Sequence, residues 1–370
     1  MTTTTTAAVV EQPGAPFVLQ EVTLDEVRAG EVLVQIVAAG LCHTDLGVQA
    51  GGIPFKLPGI LGHEGAGIVI EVGPGVTKVK PGDKVVLSFT SCGTCGACRG
   101  GHPAYCVTWV PSNLITGTRD DGTSTVLREG SAIGGHFFGQ SSFAAHALVD
   151  VRSLVRVPDS APLALLAPLG CGIQTGFGTV WNVLAPEPGA TLAVFGTGAV
   201  GLAAVIAAGM MPLSAVVAID RVPDRLALAA EVGATHTINA ATQDVAAALA
   251  DITNGQGLNY SIDTTAVPSV VRTAVDTLGV RGTHAIVGAP PAGTEVSFEV
   301  QSLLTGKRIV GVTLGDGEPE AIIPQLVSLY EQGRLPLERI IRSYPPEEIN
   351  VAAADMHEGR TIKPVICFSL

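Results

Sequence analysis

Gly196-Thr197-Gly198-Ala199-Val200-Gly201 lies between a short apolar run, Thr191-Leu192-Ala193-Val194-Phe195, and an uncharged small-residue stretch from Ala199 to about Met211. A glycine turn joining a buried strand to a buried helix points to a parallel sheet, whose strands can be linked only by crossovers. The first glycine permits the tight turn, the second lets the backbone approach a pyrophosphate, and the third lets helix and strand pack closely. The helix N-terminus offers unpaired N–H groups to phosphates. With 45 glycines in the chain the motif alone is weak, and its context carries the argument. Asp220 follows the next apolar run, Ala215-Val216-Val217-Ala218-Ile219, about 20 residues on, where a carboxylate accepts from adenosine ribose hydroxyls. An acid there repels a 2′-phosphate and favours NAD over NADP, although the adjacent Arg221 softens that preference.

The same alternation continues downstream. Arg225 to Val232 and Val270 to Leu278 read as helices, and Tyr260-Ser261-Ile262-Asp263 and Thr283-His284-Ala285-Ile286-Val287-Gly288 as strands. Nearly all-apolar strands between helices predict a doubly wound sheet covered on both faces, over residues 174–313. The first third differs. Val32 to Val37, Ile68 to Val72 and Lys84 to Leu87 are short β-rich runs bounded by Gly30, Gly40, Gly73-Pro74-Gly75 and Lys80-Pro81-Gly82-Asp83, which predicts a folded-up barrel. The alternation ends around 313–318, so residues 1–173 and 314–370 are expected to form the second domain.

Composition excludes several classes. A net charge of −12 with no basic stripe disfavours nucleic acid. From Pro188 to Ile219 no residue is charged, longer than the ~20 residues a spanning helix needs. Gly189, Gly196, Gly198, Gly201, Gly209 and Pro212 break that stretch into strand, turn, helix and strand, so no membrane is expected. Met1 to Thr6 lacks a basic flank and an apolar core, and reads as a frayed polar tail rather than a signal peptide.

Seven cysteines, an odd number, with CxxC spacing indicate metal in a reducing, cytoplasmic setting rather than disulfides. Cys92, Cys95, Cys98 and Cys106 can surround one tetrahedral Zn²⁺, and four thiolates leave no open position, so that site is structural. A second set is dispersed: Cys42-His43-Thr44-Asp45, Gly62-His63-Glu64 and Cys171. Two thiolates and an imidazole would leave a corner for substrate. Taken singly, however, Cys171 is an ordinary buried thiol and His63 an ordinary core histidine.

Gly62-His63-Glu64-Gly65-Ala66-Gly67 with Gly73 and Val76, the four-cysteine loop, Leu169-Gly170-Cys171-Gly172 and the glycine turn follow one another in an order that resembles the zinc-dependent medium-chain alcohol dehydrogenases, most closely the aryl- and allyl-alcohol (benzyl alcohol) type. The resemblance runs from about Val9 to the carboxyl end. It implies an α/β protein: a GroES-like β-barrel catalytic domain plus a Rossmann domain. It also implies two zinc ions per chain and reversible NAD-dependent oxidation of primary alcohols, aromatic or allylic favoured, to aldehydes by hydride transfer. The catalytic zinc falls on Cys42, His63 and Cys171. Glu64 matches an acid behind the metal, Asp45 the carboxylate orienting the histidine, and Thr44 the hydroxyl that meets the bound alcohol. Thr175 and Val200 match positions flanking the nicotinamide, Arg225 a contact to the adenosine ribose and Lys363 one to the pyrophosphate. Gly196, Gly198, Gly201, Asp220 and Gly288 complete the cofactor set. Phe89 matches a pocket wall, and Ile53, Phe55 and Trp109 line a pocket or fill the barrel core.

There are departures. Gly47 and Val48 stand where liver-type members carry the histidine that ends a proton relay, which leaves His43 as proton acceptor or as pyrophosphate contact. Val107 to Val110 lack the arginine of glutathione-dependent formaldehyde dehydrogenases. The remaining alternatives are an aliphatic alcohol dehydrogenase and a non-catalytic NAD-binding relative. A small-molecule alcohol or aldehyde is the expected partner, in a homodimer or homotetramer.

Overall fold

Short β-branched runs closed by Gly and Pro turns fill the first unit with mostly antiparallel strands. The computed structural model describes residues 2–368. Its chain divides into Met1–Cys171 with Glu318–Leu370, and Gly172–Gly317.

The first unit holds a five-stranded and a seven-stranded sheet. The threonine-rich amino terminus is no frayed tail. Thr3–Val10 is a strand in full antiparallel register with Phe17–Leu24, from Thr3 opposite Leu24 to Val10 opposite Phe17. β-Branched threonines suit a pleated surface, and Thr5 is buried there, its hydroxyl accepting from the His146 backbone N–H at 3.0 Å. In the larger sheet the strand Glu31–Gly40 is central, pairing with Gly65–Val72 and His146–Asp150. The carboxyl-terminal strand Lys363–Cys367 pairs on it too, Val365 opposite Gly40 and Cys367 opposite Ala38. That pairing returns the end of the chain to the residues just before Cys42.

The second unit is one six-stranded sheet in the order His236–Asn239, Ala215–Asp220, Thr191–Phe195, Leu258–Asp263, Leu278–Ile286, Arg308–Gly311, parallel throughout. Strand order reverses at Thr191–Phe195, and in such sheets ligands bind outside the carboxyl ends of the strands at that switch point. Ala193, Phe195, Val217 and Ile219 pack under Leu249, Ala274 and Leu278 on one face. The helix expected to reach Leu278 spans Pro268–Asp276, and Leu278 instead opens a strand opposite Leu258. The uncharged stretch 188–219 resolves into Thr191–Phe195, the helix Ala199–Gly209 and Ala215–Asp220. Among the described residues no single helix is long and apolar enough to cross a membrane.

Candidate metal centres and dinucleotide turn

The four-cysteine loop closes on itself as its spacing requires. Cys95 Sγ lies 3.5 Å from Cys98 Sγ and 3.9 Å from Cys106 Sγ, and Cys92 Sγ is 3.9 Å from Cys98 Sγ. Sulfurs on a tetrahedron with Zn–S bonds of about 2.3 Å stand ~3.8 Å apart, so the thiols fit one zinc. Backbone N–H groups of Thr94 and Cys95 donate to Cys92 Sγ at 3.4 and 3.3 Å. The Thr94 N–H and hydroxyl lead in pulling the Cys92 thiol down to about 5, towards the thiolate a metal binds.

The dispersed set also converges, and it lies wholly within the first unit. Ligand atoms of Cys42, His63, Glu64 and Cys171 all fall within 4.8 Å of one another. Cys42 precedes the helix His43–Gln49, and Asp45 in that helix ties the two ligand segments together. One Asp45 oxygen accepts from Cys42 N at 2.9 Å; the other accepts from Gly62 N at 3.0 Å and meets His63 Nδ1 at 3.1 Å. His63 Nδ1 is thus engaged, while Nε2 is buried with no hydrogen-bond partner among the described residues. An imidazole held by a carboxylate on one nitrogen and facing a thiol cluster with the other is how a metal-binding histidine is oriented. The field favours positive charge. Burial opposes protonation of His63, but the charge and hydrogen bond of Asp45 and the Cys42 sulfur raise it to about 10. Its hydrogen bond with Cys171, then the charge of Lys363, hold the Cys42 thiol well below its ordinary value. The residues fit a zinc ion.

Sequence reasoning put Glu64 behind the metal, and its carboxylate belongs to the ligand-capable cluster. Burial pushes it up to about 7, with the charge of Lys363 working against that rise. Lys363, expected at a pyrophosphate, is buried in the first unit, where Nζ donates to Leu41 O at 3.0 Å and to Glu64 Oε1 at 2.7 Å. The pairing of its strand with Glu31–Gly40 carries it there, and a buried ammonium must find such partners. Thr44 Oγ1 stands 3.8 Å from Cys42 Sγ, and His43 is exposed on the same turn.

Aromatic rings surround His63. Phe138 stacks on its imidazole, centroids 4.5 Å apart at 27°, and Phe137 meets its edge at 5.5 Å. Trp109 packs edge-on to Phe138 at 5.6 Å, and Phe55 to Phe137 at 5.0 Å. Trp109 and Phe55 are thereby brought to the metal-bearing loop. Ile53 packs beside Gly47 of the Cys42 helix, and Phe89 is buried directly after Ser88. Phe137 and Phe138 were missed. The pair Phe137-Phe138 before Gly139 was the only signal, and nothing in it points to His63.

In the second unit the glycine turn has the geometry of a phosphate cradle. Gly196 has φ +91°, and a Cβ on Gly201 would run into the Gly196 carbonyl, so both positions require glycine. A Cβ on Gly198 would meet no atom within 4 Å, leaving the side of the turn that a pyrophosphate approaches open. The helix Ala199–Gly209 starts there with no side-chain cap. Asp220 braces the turn. Its Oδ2 accepts from Thr197 N at 2.7 Å and Thr197 Oγ1 at 2.8 Å, and its Oδ1 from Arg221 N at 2.7 Å and Val222 N at 3.0 Å. Arg225 lies in the next helix, Pro223–Val232, with Nε buried and unpartnered among the described residues. Gly176, beside Thr175, packs against the Val200 carbonyl, which joins those two predicted contacts. Gly288 follows the strand Leu278–Ile286 and donates to Asp263 O at 3.0 Å. These residues fit a dinucleotide.

Comparison with known proteins agrees. Residues 28–159 match the alcohol dehydrogenase GroES-like domain and residues 199–332 the zinc-binding dehydrogenase family. A geraniol dehydrogenase of Castellaniella defragrans is 41% identical over 98% of this chain and 97% of its own. The crystal structure of an alcohol dehydrogenase zinc-binding domain protein from Burkholderia ambifaria is 47% identical with a TM-score of 0.97, covering 100% of both chains. That of benzyl alcohol dehydrogenase from Acinetobacter calcoaceticus is 43% identical with a TM-score of 0.95, over 99% of this chain and 100% of its own. With two zinc-ligand clusters, a dinucleotide turn and relatives aligned from end to end, the chain belongs to the zinc-dependent, NAD-linked medium-chain alcohol dehydrogenases.

Proposed function

We propose that the protein oxidises aromatic or allylic primary alcohols to aldehydes with NAD, and reduces the aldehydes in the reverse direction. The observation that carries this reading is the aromatic cluster at His63, in which Phe137 and Phe138 touch the imidazole and Phe55 and Trp109 pack on those two rings. Flat rings beside the ligand loop suit a planar aryl or allyl group, which gains from stacked and edge contacts. The printed activities of the two relatives, on geraniol and on benzyl alcohol, belong to those classes. Ile53, beside Gly47 of the helix after Cys42, and buried Phe89 complete the proposed pocket.

When bound, zinc supplies Lewis acidity at the alcohol oxygen and NAD supplies the two-electron acceptor. Cys42, His63 and Cys171 hold the metal, and Glu64 stands within reach as a further oxygen ligand. Asp45 fixes the His63 ring. Thr44 Oγ1 takes the alcohol proton and passes it outward, and His43, exposed on the same turn, is the next carrier or a pyrophosphate contact. Gly196, Gly198, Gly201 and the helix they open hold the pyrophosphate, Asp220 and Arg225 the adenosine ribose, and Thr175, Val200 and Gly288 the nicotinamide side. Exposed Val300 and Leu304 precede the edge strand Arg308–Gly311, and they support pairing of two such sheets edge to edge in a homodimer or homotetramer. The thiol-rich metal sites suit the cytoplasm.

Steady-state kinetics with benzyl, cinnamyl, geranyl and short aliphatic alcohols, each with NAD and NADP, test the reading. Highest kcat/KM for the aryl and allyl alcohols with NAD is expected, and Phe138→Ala should lower those values about tenfold more than the value for ethanol. A preference for short aliphatic alcohols that Phe138→Ala leaves intact would replace the substrate assignment.

A further inference from the structure

We infer that the turn 136–142 clamps the metal-bearing loop, with Gln140 as a positioning residue whose single buried amide joins the His63 and Cys171 segments. Gln140 has no solvent exposure. Its Oε1 accepts from Gly65 N at 3.0 Å, while Nε2 donates to His63 O at 2.9 Å and to Ser88 O at 2.6 Å. Ser88 Oγ in turn donates to Gly170 O at 2.7 Å, the carbonyl just before Cys171. One amide and one hydroxyl thus link two ligand segments far apart in sequence.

The chemistry of the amide is specific. The site needs one acceptor for Gly65 N and two donors for His63 O and Ser88 O, and a primary amide supplies both. A glutamate there would face two carbonyl oxygens with no hydrogen to offer, and a leucine would take the side-chain partner from buried Gly65 N and His63 O.

The turn that presents this amide is strained. Phe138 adopts φ 53°, ψ 30° and Ser141 φ 49°, left-handed conformations that non-glycine residues hold only when their surroundings enforce them. Here the enforcing contacts run along the His63 loop. Ser141 Oγ accepts from Phe137 N at 2.9 Å and donates to Ile60 O at 2.7 Å. Ser142 N donates to Gly62 O at 2.9 Å and Phe143 N to Leu61 O at 3.0 Å. Left-handed Phe138 lies flat on the His63 ring. The loop is therefore gripped along its backbone, at the His63 ring and, through Gln140, to Ser88, which bonds the residue before Cys171.

The inference rests on a metal at Cys42, His63 and Cys171, and the test separates the two. Zinc is counted per chain before and after dialysis of the full-length protein against a chelator, and its release rate is followed with a chromophoric chelator. The visible d–d bands of cobalt at the mixed thiolate–imidazole site are recorded in parallel. Gln140→Leu and Gln140→Glu are expected to release one of the two zinc ions about 10- to 100-fold faster than wild type, with altered cobalt bands, while the four-thiolate zinc and the far-UV circular dichroism are retained. Ser88→Ala, which removes the hydroxyl bond to Gly170 and keeps the Gln140 amide, is expected to move the same readouts in the same direction by less, and decides alone if the Gln140 variants do not fold. Wild-type release rates and cobalt bands in variants with lowered thermal midpoints would mean that Gln140 merely packs, and would overturn the inference while leaving the metal site intact. A wild-type protein with a single zinc, lost on Cys92→Ser, would overturn the metal assignment and the inference together.

Discussion

Lys363 Nζ lies 2.6 Å from Glu64 Oε2, a buried ion pair that joins the last described strand of the chain to the residue following the ligand His63. Neither group could stand there alone, because an isolated charge out of water costs several kcal/mol. The pair also fixes the sign of the local field, since the ammonium offsets part of the negative charge that Cys42 and Glu64 bring together.

Lys363→Met should therefore destabilise the protein by about 3–5 kcal/mol, the cost of leaving a buried partner unpaired. The double variant Lys363→Met with Glu64→Leu should recover a large part of that loss. Urea denaturation of both, at equal zinc loading, measures it, and a double variant no more stable than the single one would contradict the pairing.

Cys92→Ser breaks the sulfur tetrahedron without touching the His63 cluster. Zinc content should fall from roughly two to roughly one per chain, with a lower thermal midpoint and near-normal turnover below it. Metal analysis with calorimetry checks this, and a folded variant that retained its metal but lost turnover would contradict the structural role.

Asp220→Asn removes the charge that braces Thr197 and that we propose meets the adenosine ribose. We expect kcat/KM with NAD to fall about tenfold, ~1.4 kcal/mol, and the NADP-to-NAD ratio to rise. Fluorescence titration with each dinucleotide checks binding separately from turnover.

His284 gives a pH signature in the second unit. It is fully buried on the strand Leu278–Ile286, its Nδ1 is 2.8 Å from Ser261 Oγ, and burial pushes it down to about 4. The unfolded chain takes up this proton near pH ~6.5, before the folded one does. The contribution of the neutral ring is thus complete above pH ~6.5 and is lost as pH falls towards 4, roughly 3 kcal/mol in all. Urea midpoints at pH 7.5 and pH 4.5 should fall less for His284→Gln than for wild type. Equal slopes would show that the ring is not held neutral by its burial.

Much of this was legible in the sequence, for physical reasons. The glycine turn and four-cysteine loop are local, so spacing alone states what they can do, and Thr191–Phe195 begins and ends where its residues change character. What failed depended on chain segments brought together only by folding. No pattern near Lys363 announces Glu64, and the link arises because one strand pairs antiparallel with another. Phe138 reads as core until its left-handed backbone turns it onto His63. The threonines at the amino terminus read as a polar tail, and pairing with Phe17–Leu24 makes them a strand that uses their β-branching.

The four-thiolate loop is not isolated from the alcohol's side of the molecule. The Trp109 backbone N–H donates to Cys106 O at 2.9 Å, and the indole of the same residue packs edge-on to Phe138, the ring that covers His63. An oxidant that stripped those sulfurs of their metal would first loosen the backbone that carries the indole. Discrimination among alcohols would then decay while the second metal still turned them over, and a sample aged in air would lose its selectivity before its rate.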